Sequence, residues 1–131
     1  MSTETAELVA SARTAAEGAY APYSDFRVGA TVVGSDGRAF TGANVENAAY
    51  PATSCAEATA IATAVSHGVR DIDTVAVACI DAADVNGAYP CGRCRQIMSE
   101  FDVKRVIVTA GEGSEVRQHT LDDLLPYRFS I

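Results

Sequence analysis

The chain has 131 residues, a length that suits a single folded domain over residues 1–131 and is short for two domains of ordinary size. Hydrophobic residues make up 48% of it and charged residues 21%, which is the balance of a folded protein and excludes a largely disordered chain. The net charge of −7 would repel a phosphate backbone, so a nucleic acid partner is disfavoured.

The first predicted element is an amphipathic helix from about Glu4 to Ala19, because apolar side chains such as Leu8 and Ala12 recur at helical intervals. The same segment has no basic stretch followed by an unbroken apolar run. Neither a signal peptide nor a membrane span is therefore predicted, and we expect a cytoplasmic protein with no membrane partner. In that reducing compartment the four cysteines are expected to be metal ligands, catalytic groups or core residues rather than disulfides.

Two β-prone runs in residues 27–44 flank Asp36-Gly37, a pair that favours a tight turn, and together they predict an antiparallel hairpin. An alanine-rich stretch then predicts a second helix from Cys55 to His67, with Ser54 as its N-cap. The histidine and glycine at its end are typical of a helix C-terminus.

The next apolar run, residues 73–80, predicts a strand that is covered on both faces and that contains Cys79. A proline-led sequence after it predicts a helix from Cys91 to Phe101. Two further strands are predicted over residues 105–110 and 115–120.

The last predicted element is a short helix over residues 121–125, with Thr120 as its N-cap and Pro126 as its stop. The resulting order α, β, β, α, β, α, β, β, α predicts an α/β layer fold. Strands that are joined through a helix should run parallel, whereas the strands of the opening hairpin must run antiparallel.

Three cysteines, Cys55, Cys91 and Cys94, lie at the N-terminal ends of predicted helices, and such ends tend to converge at one edge of an α/β sheet. Helix N-termini stabilise thiolates, and three thiolates suit zinc, with Zn–S distances of about 2.3 Å. Three protein ligands leave the fourth position for water, as in catalytic zinc sites. Glu57, in the first turn beside a ligand, is predicted to carry protons for that water. Cys-x-Glu followed by Pro-Cys-x-x-Cys is close to the zinc deaminase signature.

Other interpretations of these residues stay open at this point. The run "CGRC" alone equally suits a thioredoxin-like redox pair or a structural zinc site. A four-cysteine structural site, in a protein that is not an enzyme, would recruit Cys79, although its place within an apolar strand is more typical of a core residue. Glu57 alone would be an ordinary carboxylate at a helix start.

Five motifs in order resemble the cytidine deaminase family, specifically its small homotetrameric class, over nearly the whole chain. "APYSDFRVGA" is similar to the family's Pro-Tyr-Ser-x-Phe-x-Val-Gly-Ala, and "GANVENAAY" to its Asn-Val/Ile-Glu-Asn segment. "SCAE" and "PCGRCRQ" look like its two zinc half-sites, and "LLPYRF" like its C-terminal Leu-Leu-Pro-x-x-Phe.

The resemblance implies a three-layer α-β-α fold with a mixed five-stranded sheet and one zinc ion per subunit. It implies that Cys55, Cys91 and Cys94 hold the zinc while Glu57 shuttles protons. The implied reaction is the hydrolytic deamination of cytidine or deoxycytidine to the uridine product and ammonia, as in pyrimidine salvage.

For the substrate, the resemblance implies that Asn44 and Glu46 hydrogen-bond the ribose 3′-hydroxyl. Phe26 would pack on the pyrimidine ring, and the backbone of Ala56 would meet the base carbonyl. The implied partner is therefore a small pyrimidine nucleoside.

In the family, the residues matching Tyr50 and Phe129 reach into a neighbouring subunit's site, which implies a homotetramer with shared pockets. Two positions depart from the family pattern. Many members have arginine after the glutamate, where it offsets the negative charge of three thiolates, and this chain has Ala58 there. "CGRC" places Arg93 between two ligands, and we hypothesise that Arg93 supplies the missing charge.

The same pairing resembles blasticidin S deaminases, relatives that act on a cytosine-nucleoside antibiotic and lack an intact Asn-Val-Glu-Asn motif. This chain retains "NVEN", so cytidine and deoxycytidine rank first, and a modified pyrimidine or nucleoside analogue ranks second. Editing of RNA or DNA is a third interpretation, which the acidic charge disfavours.

Overall fold

A computed structural model describes residues 1–131 and contains five strands and four α-helices. The strands are β1 (Val28–Gly34), β2 (Ala39–Ala43), β3 (Ile72–Cys79), β4 (Arg105–Thr109) and β5 (Val116–Thr120). The helices are α1 (Thr3–Ala16), α2 (Ala56–Ser66), α3 (Gly92–Glu100) and α4 (Leu121–Leu124). None of the helices is both long and apolar enough to cross a bilayer.

The strands form one sheet in the order β2-β1-β3-β4-β5. Strand β1 pairs antiparallel with β2 and with β3, whereas β3 and β4, which α3 connects, are parallel. Strand β5 pairs antiparallel with β4 and forms the edge of the sheet opposite β2. The hairpin turn places Gly37 at a φ of 87°, a left-handed conformation that glycine adopts without steric cost. The predicted α/β fold with a mixed five-stranded sheet is confirmed.

Helices cover both faces of this sheet, so the fold has three layers. On one face, Leu8 and Val9 of α1 pack against Ala76 and Ile107. On the other face lies the larger core, between the sheet and helices α2 and α3. Successive side chains of a strand point to opposite faces, so alternate residues of β3 face the two helical layers. Core members on the second face include Val32, Ala60, Ile61, Val75, Val77 and Met98.

Helix α1 ends three residues earlier than the sequence pattern predicts, at Ala16 rather than Ala19. The backbone N–H of Tyr20 donates to the carbonyl of Asn44, and the N–H of Glu46 donates to the carbonyl of Tyr20. This bridge requires an extended chain at Tyr20, so the helix must end before it.

The N-cap of α2 is Cys55, so the prediction of Ser54 was wrong. The backbone of Ser54 pairs with that of Val45 in an isolated antiparallel bridge, which holds Ser54 outside the helix. Its hydroxyl instead lies 2.8 Å from the Thr59 hydroxyl oxygen. The consequence for the site is that a thiol, rather than a hydroxyl, stands at the helix start.

Candidate active site and metal centre

Three thiol groups converge where α2 and α3 begin. Cys55 is the N-cap of α2, Cys91 is the N-cap of α3, and Cys94 lies buried in the first turn of α3. Their sulfur atoms all lie within 4.8 Å of one another. Tetrahedral zinc with Zn–S distances of about 2.3 Å needs its sulfur atoms about 3.8 Å apart, so these thiols would have to approach by at most about 1 Å to hold one ion. An all-thiolate donor set fits zinc, so these residues suit the metal that the sequence predicts.

Local interactions favour the ionised form of Cys55. The neighbouring thiol of Cys94, followed by Cys91 and the positive charge of Arg93, lowers the pKa of Cys55 to about 6. The same proximity raises the pKa of Cys94, because one thiol of a close pair must stay protonated when the other ionises. Arg93 therefore lies near enough to the cysteine cluster for its charge to act on a ligand.

Glu57 is a carboxylate that lies close enough to this cluster to interact electrostatically with Cys55 and Cys94. It lies in the first turn of α2 and is only 4% exposed. Burial, with the nearby Cys55 thiolate as a weaker contribution, raises the pKa of Glu57 to about 7. A group of this kind can both accept and release a proton near neutral pH.

Cys79 lies outside the metal-binding group of three cysteines. It ends β3 and its thiol donates a long hydrogen bond to the carbonyl of Ala88, with an Sγ–O distance of 3.6 Å. Burial raises the pKa of Cys79 to about 12, which disfavours the thiolate that zinc needs. The structure thus gives no support to a four-cysteine site.

A cavity of about 380 Å³ opens beside the cysteine cluster and Glu57, and its size suits a small ligand. The predicted residues Phe26, Asn44, Glu46 and Ala56 all line it. Ala56 is the first residue of α2, so its backbone N–H has no partner within the helix. Cys79 also lines the cavity, and the lining residues that the sequence did not single out are Ser24, Val28, Thr53, Gly87 and Tyr89.

Asn44 is 8% exposed, and its side chain hydrogen-bonds the backbone at the start of β1. Its Oδ1 accepts from the backbone N–H of Val28 at 2.9 Å, and its Nδ2 donates to the carbonyl of Phe26 at 2.8 Å. An amide has two lone pairs and two N–H groups, so each end of the side chain keeps one further bonding position.

Glu46 holds the loop that precedes β1. Its Oε1 accepts from the backbone N–H groups of Tyr23 and Ser24 at 2.9 and 3.2 Å, and its Oε2 accepts from the Ser24 hydroxyl. The hydrogen bond from Ser24 lowers the pKa of Glu46. Glu46 is therefore an ionised acceptor at the cavity wall.

The two aromatic residues for which the family resemblance implies a role in a neighbouring subunit's site lie on the surface of their own chain. Tyr50 is 73% exposed and borders a depression that shares Ser24, Glu46 and Thr53 with the cavity. Phe129 is 69% exposed and borders a different depression, beside Gln96 of α3. Neither side chain lines the cavity of its own chain.

Tyr89 is a cavity residue that pattern analysis missed, because an aromatic residue before "PCGRC" carries no periodic signal. Its hydroxyl and Nε2 of His119 on β5 lie 2.8 Å apart, so the ring is held at the cavity wall by a strand that is distant in sequence. Val28 and Cys79 are paired residues of β1 and β3, and only the strand register places them together.

Comparison with known proteins gives one consistent family. The model for the "Cytidine and deoxycytidylate deaminase zinc-binding region" matches residues 2–110. The chain is 43% identical to the cytidine deaminase of Sporosarcina psychrophila over 127 residues, which cover 95% of this chain and 90% of that protein. A blasticidin-S deaminase from Bacillus cereus is a more distant relative, 29% identical over 79% of this chain and 76% of its own length.

Solved structures agree with the sequence matches. A crystal structure of cytidine deaminase from Burkholderia pseudomallei superposes with a TM-score of 0.87 at 41% identity, covering 98% of this chain and 100% of that one. The cytidine deaminase of Mycobacterium tuberculosis superposes with a TM-score of 0.75 at 34% identity, covering 99% and 100%. The resemblance that the five motifs indicate is confirmed.

Proposed function

This chain belongs to the cytidine and deoxycytidylate deaminase family, and from that premise we propose which residues perform its reaction and which substrate it prefers. The reaction is the hydrolytic deamination of cytidine or deoxycytidine to the uridine product and ammonia, with zinc as cofactor. The observation that carries the residue assignment is the convergence of three thiols and a buried carboxylate at one end of a nucleoside-sized cavity.

We assign Cys55, Cys91 and Cys94 as the zinc ligands and Glu57 as the catalytic residue that moves protons. Bound there, zinc would act as a Lewis acid that makes water a nucleophile at neutral pH. Glu57 would be the group that takes up a proton from the attacking water and later delivers it to the departing amino group. Because Glu57 is buried on a rigid helix, its carboxylate is held close to the reacting atoms without bulk water around it.

The remaining cavity residues orient the nucleoside. The free N–H of Ala56 is placed to donate to the base carbonyl, and Phe26 offers an apolar surface to the pyrimidine ring. The unused bonding positions of Asn44, together with the carboxylate of Glu46, are placed for the sugar 3′-hydroxyl. These groups lie along one cavity, so one molecule can contact all of them.

The cavity favours a nucleoside over a nucleotide. It is lined by the carboxylates of Glu46 and Glu57, and no lysine or arginine is among its lining residues. A 5′-phosphate, carried on the sugar, would therefore find no cation among these lining residues and would lie at the end of the cavity that holds the Glu46 carboxylate. We propose cytidine or deoxycytidine as the substrate and pyrimidine salvage as the role. Arg93 and the matching blasticidin-S deaminase make a cytosine-nucleoside antibiotic the second candidate.

A substrate panel tests this specificity. Zinc-loaded protein is assayed for ammonia release from cytidine, deoxycytidine, deoxycytidine 5′-monophosphate, cytosine and blasticidin S. We expect the two nucleosides to have the highest kcat/KM, and cytosine to be poor because it lacks the sugar that Asn44 and Glu46 contact. A preference for the monophosphate or for blasticidin S would contradict the proposal.

Two matched variants test the residue roles. Glu57→Gln should keep zinc at one ion per chain and lose deamination by about a hundredfold to ten-thousandfold, the usual contribution of general acid–base catalysis. Cys79→Ala should keep both zinc and activity, since its thiol is not in the cluster. Release of zinc from Cys79→Ala would instead support a four-cysteine structural site.

We also propose that the protein is a cytoplasmic homotetramer with shared sites and that residues 1–131 form one domain. Exposed aromatic residues, among them Tyr50 and Phe129, support an interface between copies. Four cysteines without a disulfide support a reducing compartment. For the homotetramer, native mass spectrometry should give a mass four times that of the chain. For the single domain, thermal unfolding should show one transition. For the location, cell fractionation should recover the protein in the cytoplasmic fraction.

A further inference from the structure

Ser24 makes two hydrogen bonds through one hydroxyl at the sugar end of the cavity. The hydroxyl donates to Oε2 of Glu46 and accepts from the backbone N–H of Phe26 at 3.0 Å. Ser24 therefore joins the carboxylate that faces the sugar to the residue that packs on the base. Its side chain lines the same cavity as both partners.

The backbone around Ser24 is shaped for these contacts. Asp25 has a φ of 56°, a left-handed conformation that is uncommon for residues other than glycine and that aspartate tolerates better than most. This turn directs the Phe26 N–H back towards the Ser24 hydroxyl. The N–H of Asp25 donates to the carbonyl of Ala21 at 2.9 Å, which holds the turn from its other side.

Glu46 needs such a partner because its two oxygens are held differently. Oε1 is fixed by two backbone N–H groups, which any residue at position 24 would supply. Oε2 has only the Ser24 hydroxyl as a partner within the chain. Without that hydroxyl, only Oε1 would be held, and the carboxylate group could turn on its Oε1 hydrogen bonds so that Oε2 moves away from the sugar.

We infer that Ser24 is a positioning residue for nucleoside recognition, whose hydroxyl fixes the orientation of Glu46 towards the sugar 3′-hydroxyl. Ser24 does not touch the reacting atoms, and it acts through Glu46. The contribution that passes through Glu46 therefore depends on the sugar, and that part is absent for a nucleoside that has no 3′-hydroxyl. This inference rests on the proposed contact between Glu46 and the sugar.

The test compares Ser24→Ala with wild type on 2′-deoxycytidine and on 2′,3′-dideoxycytidine. Loss of a hydrogen bond to a charged group should raise KM for 2′-deoxycytidine about tenfold, with kcat changed less than about twofold. For 2′,3′-dideoxycytidine, KM should rise several-fold less, because the 3′-hydroxyl that Glu46 would bind is missing and only the hydrogen bond to the Phe26 backbone is lost. Ser24→Thr, which keeps the hydroxyl, should restore KM for 2′-deoxycytidine.

Controls separate this role from a general effect on folding. Ser66→Ala removes a serine hydroxyl that makes no hydrogen bond at the far end of α2 and should match wild type on both substrates. Equal losses on the two substrates, or no loss on either, would overturn the role of Ser24. Glu46→Ala tests the underlying premise: if it leaves KM for 2′-deoxycytidine unchanged, the proposed sugar contact fails, whatever Ser24→Ala does.

Discussion

At the residue scale, the net charge of the metal centre determines how strongly it can lower the pKa of a bound water molecule. In the proposed centre, three thiolates would outweigh the two positive charges of zinc, and a negatively charged centre acidifies water less effectively than a neutral one. Position 58 offers no compensating charge, since it is an alanine. Arg93, whose charge contributes to lowering the pKa of Cys55, is the cation that we propose reduces this excess.

Arg93→Ala is therefore expected to lower kcat or zinc affinity by about ten- to a hundredfold, the usual cost of losing a group that supports a metal ligand. Ala58→Arg in the same chain should restore part of the loss, because a guanidinium would return from the other helix. Turnover and zinc retention against a chelator measure the effect. Arg38→Ala is the matched control, because it removes an equal charge at the exposed hairpin turn, and it should have wild-type turnover and zinc retention. If Arg93→Ala also has wild-type turnover and zinc retention, Arg93 does not compensate the charge of the thiolates.

At the element scale, the position of α1 depends on the absence of a side chain in β1. A β-carbon at Gly29 would lie 2.0 Å from the carbonyl oxygen of Ala12 and 2.4 Å from the backbone nitrogen of Ala16. Those atoms are backbone, so the whole helix would have to move. Gly42 has the same relation to α2, where its β-carbon would lie 2.5 Å from the backbone nitrogen of Ala60.

Gly29→Ala is expected to lower the free energy of unfolding by about 3 kcal/mol, at the upper end of the usual cost of overpacking. Urea denaturation measures the change, which is a change in stability if the midpoint falls and the m-value stays the same. Gly18→Ala is the matched control, because its β-carbon would lie an ordinary 3.5 Å from the carbonyl oxygen of Ala15. Equal stability of the two variants would show that α1 can move away from the sheet at little cost.

The short helix α4 is held by a capping box. The Thr120 hydroxyl accepts from the backbone N–H of Asp123, whose carboxylate accepts from the N–H of Thr120. Thr120→Ala should lower the free energy of unfolding by about 1 kcal/mol, the typical cost of losing a cap. Thr120→Ser keeps the hydroxyl and should restore most of that stability, which thermal unfolding can measure. A Thr120→Ala protein as stable as wild type would show that packing of Leu121 alone holds α4.

Elements that carry their own local signal were predictable, whereas features that depend on distant pairing were not. The Thr120 cap and the Asp36-Gly37 turn are local, and both predictions agree with the structure. The N-cap of α2 was mispredicted because Ser54 is drawn into a bridge with Val45, which helix chemistry alone does not reveal. The cysteine cluster was predictable because the order of the elements places both helix starts at one edge of the sheet.

The wall of the cavity shows the same limit. Val28 and Cys79 meet through the register of β1 and β3, and Tyr89 is fixed by His119, a residue 30 positions away. Ser24 sits in a recognisable motif, yet its two bonds depend on the left-handed turn at Asp25. Such contacts are set by the tertiary fold rather than by the composition of any segment.

At the scale of the whole molecule, zinc should stabilise the fold as well as serve the reaction. The proposed ligands come from the starts of two helices, so one ion would tie α2 to α3. A ligand that binds only the folded state, at a hundred times its Kd, adds about 2.7 kcal/mol. Chelation should therefore lower Tm on the order of ten degrees. Cys91→Ala should have the Tm of the zinc-free protein even when zinc is present. Glu57→Gln should show the same increase in Tm on zinc binding as wild type. Identical Tm values of the wild-type protein with and without zinc would contradict the assignment of the ligands.

The proposed sharing of sites between subunits makes a prediction about mixed oligomers. Glu57 and Phe26 line the cavity of one chain, whereas Phe129 is exposed and does not line that cavity. If a neighbour's Phe129 completes the site, Phe129→Ala alone should lose about tenfold in kcat/KM, and Glu57→Gln alone should be inactive. In an equal mixture, about a quarter of the sites would combine an intact Glu57 with an intact Phe129 from a different subunit.

Co-expression of the Glu57→Gln and Phe129→Ala chains with different affinity tags, followed by purification through both tags, tests this sharing. We expect the mixed oligomers to exceed the activity of Phe129→Ala oligomers, because one chain supplies the carboxylate and its neighbour supplies the aromatic ring. Glu57→Gln mixed with Phe26→Ala is the matched control and should show no such gain, since both residues belong to one chain's cavity. If the Phe129→Ala mixture reaches only half the activity of Phe129→Ala oligomers, each chain carries its own complete site, and the aromatic residue near the C-terminus serves the assembly rather than the substrate.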